Sequence, residues 1–206
     1  MAAKLERKDS IIAAAEILLR KLDYDALTMQ AVATEVGLAK GTLYLYFSSR
    51  EILVLDVYGR LFDRWIERFA SHMSDITGVE EFCHHFCRYY VDDSLFLQLT
   101  GFVIPLMEPQ LDRVSYIECK RAMASRVKKI AGIAYQRLGL TPILALRLGW
   151  GLLTVASGAT QMSMRPALSS KDLPNDVVAF VDSTSFETIF LNAALPLYKG
   201  MTQADK

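Results

Sequence analysis

Cysteine is scarce in this chain: Cys83, Cys87 and Cys119 are all there is. Three thiols at irregular spacing do not make a disulfide framework, and a reducing cytoplasm is the compartment they fit. Histidine is equally scarce, with His72, His84 and His85 confined to one region, so general bases are few. The sequence contains no G-x-S-x-G, no P-loop and no G-x-G-x-x-G. The acidic neighbours Glu80/Glu81 and Asp92/Asp93 diverge when placed on a helix, and capping or a solvated face accounts for them. No catalytic residue and no cofactor is therefore expected, and the chain is not expected to be an enzyme. An excess of charge of either sign is also missing, since 23 Lys and Arg balance 23 Asp and Glu. That balance argues against an indiscriminate nucleic-acid coat protein.

Other absences narrow the fold. No alternating strand pattern persists, and there are no internal repeats or low-complexity segments. The segment Lys4 to Asp9 is nearly all charged, unlike the apolar core of a signal peptide. Leu148 to Met164 is uncharged but carries Gly149, Gly151, Thr154, Ser157, Gly158, Thr160, Gln161 and Ser163. It is slightly short for a membrane span and is flanked by Arg147 and Arg165, so a helix buried in protein is expected. A cytoplasmic protein that does not cross a membrane is the reading these features support.

What the sequence does have is apolar residues, at 52%, and helical periodicity almost throughout. The pattern predicts an all-α fold of about nine helices. The first runs from Ile11 to Leu22, with Ile12, Ala15, Leu19 and Leu22 facing the core. Two short helices follow, and a long one runs from Ser48 to about Met73 with Gly59 inside it. Further helices are expected over Val79–Val91, Ser94–Val103, Gln110–Leu138 and Pro142–Met164. Pro105 and Pro109 interrupt between them, and Pro166 to Asn175 reads as a loop. The last helix is expected from Asp176 to about Leu195, ended or kinked by Pro196.

Residues 28 to 51, T-M-Q-A-V-A-T-E-V-G-L-A-K-G-T-L-Y-L-Y-F-S-S-R-E, carry the most information. Thr28 can cap a helix whose Val32, Ala33 and Val36 share a face. Gly37 can stop that helix in a left-handed conformation, with Leu38 plugging the corner. Lys40 to Phe47 has room for two turns, with Leu43, Tyr44 and Phe47 inward and Thr42, Leu45 and Tyr46 outward. Ser48 and Glu51 read as a capping box opening the long helix. Two short helices joined by a glycine turn form a helix-turn-helix, whose second helix can enter a DNA major groove. The same geometry also serves as a plain packing motif. The outward donors Gln30, Lys40, Thr42, Tyr46 and Arg50 favour DNA, because a merely solvated face more often carries Glu and Lys. The first sixty residues are not basic overall, so binding needs a local patch from Lys4, Arg7, Lys8, Lys40 and Arg50.

Together with the leading helix and the D-Y-D-A-L-T-M segment, V-G-L-A-K-G-T-L-Y-L-Y-F-S-S-R-E-I-L resembles the DNA-binding domain of the tetracycline-repressor (TetR) family over residues 7 to 55. The resemblance implies a homodimeric, ligand-responsive transcriptional repressor. Residues 1–50 would form a three-helix DNA-binding domain, and residues 51–206 a larger helical effector and dimerisation domain. The expected DNA-contacting set is Thr28, Gln30, Lys40, Gly41, Thr42, Leu45, Tyr46 and Arg50. Lys40 and Gln30 are the expected base readers. Thr42, Tyr46 and Arg50, with the Thr28 hydroxyl, would touch phosphate, and Leu45 could meet a thymine methyl. The partner is then double-stranded DNA with a palindromic operator. One departure stands out: Ala39 occupies the place where a Ser or Thr usually caps the recognition helix. A rival reading, a helical ligand-binding or scaffold protein with a vestigial helix-turn-helix, has only the neutral head in its favour.

The remaining motifs are weaker. Cys83 and Cys87 share a helical face, but one helix cannot supply four converging ligands, so no metal site is expected. Small residues in the last two long helices suit close helix packing, and the resemblance favours a four-helix dimer interface there. Aromatic and Met residues are dense between Phe82 and Met164. Few buried-charge candidates accompany them, so a small apolar or aromatic effector is expected. Its site is expected to be bounded by Phe86, Tyr90, Phe102, Tyr116, Met123 and Trp150, beneath the Arg50–Met73 helix.

Overall fold

A computed structural model describes residues 2–103, 110–163 and 173–204. Among the described residues the chain forms ten α-helices, one 3-10 turn and no strand. They fall into two compact units. The first comprises the described residues up to Phe62 and those between Phe102 and Ala122; the second comprises the rest. The boundary expected at residue 50 marks the start of a helix, whereas the compact units divide inside that helix.

The first unit opens with α1 (Ala2–Leu19). This helix begins earlier than its apolar periodicity, because its charged first turns are held by the helix that follows the reading segment. Lys8 pairs with Asp56 at 2.6 Å, and Arg60 donates to the Asp9 carbonyl at 3.3 Å. Ile11, Ile12, Ala15 and Leu19 are buried, but Leu22 lies past the end of α1 and is exposed, against expectation. A 3-10 turn (Tyr24–Ala26) leads to α2 (Met29–Glu35). The Thr28 hydroxyl accepts from the Ala31 N–H at 3.1 Å, as its position predicts.

Gly37 has φ +65° and closes α2 with two bonds. Its own N–H reaches the Thr34 carbonyl at 3.1 Å, and the Leu38 N–H reaches the Ala33 carbonyl at 2.8 Å. This is a Schellman closure, which needs the left-handed residue that glycine supplies. The next helix, α3, spans only Lys40–Tyr44. Residues 45–47 continue as tight turns, since the Tyr46 N–H bonds the Leu43 carbonyl at 3.0 Å. Leu43 and Phe47 are buried as expected. Tyr44 is not: it is 44% exposed, because it stands about 100° round the helix from the buried Leu43.

The helix α4 (Arg50–Ser71) belongs to both units. Its cap is Ser49, whose hydroxyl accepts from the Ile52 N–H at 3.3 Å. The cap expected at Ser48 is therefore displaced by one residue, and Ile52 at the third helical position leaves the capping box incomplete. Gly59 does not interrupt α4.

The second unit continues with α5 (Val79–Val91) and α6 (Ser94–Phe102). Asp93 caps α6 by accepting from the Leu95 and Phe96 N–H groups. The helix α7 (Arg113–Leu138), capped by Asp112, is again divided between the units, after Ala122, and Gly139 then turns the chain at φ +62°. Thr141 then caps α8 (Pro142–Ser163). The single last helix expected over 176–195 is in fact two, α9 (Asn175–Ser183) and α10 (Phe186–Ala204). The reason is a local cap: the Ser185 hydroxyl accepts from the Thr188 N–H at 3.2 Å and starts a new helix. Pro196 neither ends α10 nor lies near its end. It is exposed, so water can serve the carbonyl that its missing N–H leaves unbonded. Pro105, Pro109, Met164 and most of the loop expected from Pro166 lie outside the described residues.

Stacked rings form the core of the second unit. Trp65 of α4 meets Phe86 edge-on at 4.8 Å and Tyr90 at 5.5 Å. Phe86 stacks on Phe190 at 5.1 Å, and Tyr90 on Phe186 at 5.3 Å. One cluster thus joins α4, α5 and α10. The Tyr90 hydroxyl donates to Thr100 at 3.2 Å, which donates onward to the Phe96 carbonyl. A buried phenol is therefore satisfied. The helix α8 is long and apolar enough to cross a membrane. However, Leu148, Leu152, Ala156 and Ala159 form its buried side, and it packs on α10. That face reads as the core of a folded unit.

Candidate nucleic-acid interface

The helix-turn-helix presents its polar residues on a buried apolar base. Val32 and Ala33 of α2 and Leu43 of α3 are inaccessible to solvent. Thr28, Gln30, Lys40, Gly41 and Leu45 are exposed, while Thr42, Tyr46 and Arg50 are half-buried. Leu45 is 77% exposed. The Gln30 amide donates weakly to Thr34 at 3.4 Å, which leaves its carbonyl oxygen available. The Thr28 oxygen accepts the cap bond, and its hydroxyl proton remains available to a phosphate. Ala39 is the N-cap of α3 and supplies no side-chain bond.

The N-terminal helix lies beside this segment. A cavity of about 300 Å³ is lined by Lys4, Leu5 and Lys8 of α1 and by Leu45 and Tyr46. The expected local basic patch therefore has a structural counterpart in Lys4 and Lys8. The Lys8 ammonium, however, is shared with Asp56 and sits 5.3 Å from the Phe47 ring centroid.

Arg50, an expected phosphate contact, makes several contacts within the first unit. Its guanidinium lies 4.4 Å from the centroid of the Tyr24 ring. Nη1 donates to the Leu27 carbonyl at 3.3 Å, and Nε reaches Glu51 Oε1 at 3.3 Å. Burial raises the Tyr24 phenol above its ordinary value, with Arg50 opposing. Burial alone would raise the Glu51 carboxyl too, but hydrogen bonds from its own backbone N–H, Ser49 and Arg50 outweigh it and hold it low. Tyr24, Leu27 and Ser49 did not stand out in the sequence. The only signal for Tyr24 was an aromatic residue inside the D-Y-D-A-L-T-M segment.

The residues expected around an effector are only partly brought together. Phe86 and Tyr90 are fully buried and stack on one another at 5.5 Å. Met123 is half-buried. Tyr116 and Trp150 are 45% and 48% exposed, and Tyr116 belongs to the first unit. The side chain of Phe102 lies outside the described residues. Arg126, half-buried on α7, holds Asp63 of α4 through Nη2 at 2.8 Å.

The cysteine pair is inert by position. Burial, with Glu80 nearby, pushes the Cys83 thiol up to about 12, and burial with Glu187 and Cys83 does the same for Cys87. Neither supplies thiolate near neutral pH. Among the described residues, no group of three or more His, Cys, Asp or Glu side chains is placed to hold a metal.

Comparison with known proteins accounts for nearly the whole chain. Residues 11–57 match the family model for bacterial regulatory proteins of the tetR family, and residues 59–203 match the model for the tetracyclin repressor-like C-terminal domain. The HTH-type transcriptional repressor KstR of Mycolicibacterium smegmatis is 40% identical over 62 residues, which cover 30% of this chain and 30% of that one. The chain thus matches less than a third of that relative's length. Among solved structures, a TetR-family regulator from Streptomyces coelicolor aligns over 97% of this chain and 83% of its own, with 14% identity and a TM-score of 0.60. A TetR-family regulator from Mesorhizobium loti aligns over 96% and 97%, with 18% identity and a TM-score of 0.56. At such identities these two structures show the shared fold.

Proposed function

The chain belongs to the TetR family of bacterial regulatory proteins, and from that premise we propose that it is a cytoplasmic, homodimeric repressor released from a palindromic operator by a small apolar or aromatic effector. That it is a DNA-binding transcriptional regulator follows from the family itself. The observation that carries the finer reading is the exposed row Gln30, Lys40, Gly41 and Leu45 on a buried base. Lys40 and Gln30 read base edges, and Leu45 meets a thymine methyl. Thr28, Thr42 and Tyr46 touch phosphate and set the register.

Dimerisation uses the outward faces of α8 and α10. The small residues of α8 divide into two sets. A Cβ at Gly151 would lie 2.7 Å from Leu197, and one at Gly149 would lie 3.4 Å from the Val127 carbonyl, so these two serve packing within the chain. Gly158 has nothing within 4 Å, and it continues an exposed stripe at helical spacing with Trp150, Thr154 and Met162. A second copy covers that stripe. The two recognition segments then stand about 34–36 Å apart, one DNA turn.

The effector reading rests on the ring cluster. Among the described residues of the second unit, the buried polar side chains are Thr100 and Thr160, and neither is charged. An apolar ligand entering between Phe86 and Tyr90, whose rings meet Trp65, displaces Trp65 and so moves α4. It weakens DNA binding only by favouring the conformation that does not bind DNA. The test is a gel shift on the DNA flanking the protein's own gene, titrated with hydrophobic compounds. A Trp150→Phe variant leaves Trp65 as the one remaining tryptophan. The expected result is a sequence-dependent shift, relieved by a compound that also changes Trp65 fluorescence. A protein that shifts no DNA above a random-sequence control contradicts the reading.

A further inference from the structure

The first residue of α4 and the residue before the α2 cap are joined by one side chain. Arg50 covers the Tyr24 ring at 4.4 Å and donates to the Leu27 carbonyl at 3.3 Å. These two residues are the ends of a single tight turn, closed by the Leu27 N–H on the Tyr24 carbonyl at 3.2 Å. Leu27 is fully buried, and Thr28, next in the chain, caps α2. On the α4 side, Glu51 holds the guanidinium at 3.3 Å, and Ser49 fixes the helix start. A planar fork that stacks and donates at once is a task for arginine and not for lysine.

We propose that Arg50 is a positioning residue, gripping the Tyr24–Leu27 turn so that α2, and the reading segment behind it, follow the first turn of α4. This rests on the DNA-binding reading and reassigns one member of its contact set. A guanidinium committed to a ring face and a carbonyl inside the protein makes a poor phosphate clamp. A latch at the head of α4, on the other hand, converts any movement of that helix into a movement of the α2 cap. The idea separates cleanly from a phosphate contact, because Tyr24 is then as important as Arg50. It also separates from simple stability, because the effect must show in folded protein.

The experiment compares wild type with Arg50→Ala, Arg50→Lys, Tyr24→Leu and the Arg50→Ala/Tyr24→Leu double variant. The probe is a duplex that the wild-type protein selects from a randomised pool, with affinity measured across a salt series. The expected result is a loss of about tenfold for each single variant, lysine included, a double variant no weaker than either single, and an unchanged salt slope. Amide exchange in DNA-free protein gives the independent reading: Ala31 and Val32 should exchange faster in Arg50→Ala and Tyr24→Leu, with α6 unaffected. A salt slope reduced by about one unit in Arg50→Ala, with Tyr24→Leu binding normally, makes Arg50 a phosphate contact and overturns the proposal. Lowered thermal stability with unchanged affinity and unchanged exchange in α2 also overturns it. If the wild type selects no duplex, the DNA reading fails, while the exchange result still decides whether the latch exists.

Discussion

The two units solve the problem of stability by different means. In the first, a five-residue helix is held between a glycine turn and a run of tight turns, and caps and closures do the organising. So short a helix would not persist alone. In the second, helices of up to 22 residues assemble with rings that meet face to face and edge to face. The first unit exposes Gln30 and Lys40, the positions proposed to read base edges. The second buries its ring cluster and exposes Trp150, Thr154, Gly158 and Met162 along α8. The difference places recognition on local geometry and stability on distant packing.

The largest test of that contrast is Phe86→Ala. Phe86 contacts rings from α4, α5 and α10, so its removal should cost about 3–5 kcal/mol in chemical denaturation. A loss below about 1 kcal/mol would mean that the ring cluster does not hold the second unit together. Gly37→Ala should cost less, about 1–2 kcal/mol, because only the positive φ opposes it. The space around Gly37 is open, with nothing within 4 Å of an added Cβ. A neutral result there would show that α2 does not depend on its closure. The smallest expected effect is a gain. Ala39→Ser supplies the side-chain cap that α3 lacks and should stabilise the protein by up to about 1 kcal/mol. If Ala39→Ser is destabilising, the bare cap serves something other than α3.

The same contrast decides what the sequence could reveal. The Thr28 cap and the Gly37 stop were legible, because each is a bond between residues at most five positions apart. The first unit departs from its sequence pattern only locally: Ser49 rather than Ser48 is the cap, and Tyr44 lies on the helix side away from the buried Leu43. The Arg50 latch was not legible, since its partner Leu27 lies 23 residues away and nothing in a periodicity singles out a carbonyl. In the second unit, the boundaries of α5 were readable to the residue. The break before α10 was missed although its signal was present, a Ser at 185 with polar neighbours. Which rings would meet could not be read at all, because Phe86 and Phe190 become neighbours only when α5 and α10 pack. The density of aromatics indicated a large apolar interior without showing that Trp150 and Tyr116 would stand half exposed outside it.

The central claim is that the segment from Lys40 to Tyr46 reads sequence. Selection from a randomised duplex pool, run in parallel on wild type and Lys40→Ala, tests it most directly. The wild type should select a palindrome with half-site centres about 10 base pairs apart. Lys40→Ala should return the same palindrome with one or two symmetry-related positions made degenerate. Identical selected sequences from both proteins, or no enrichment from the wild type, would contradict it.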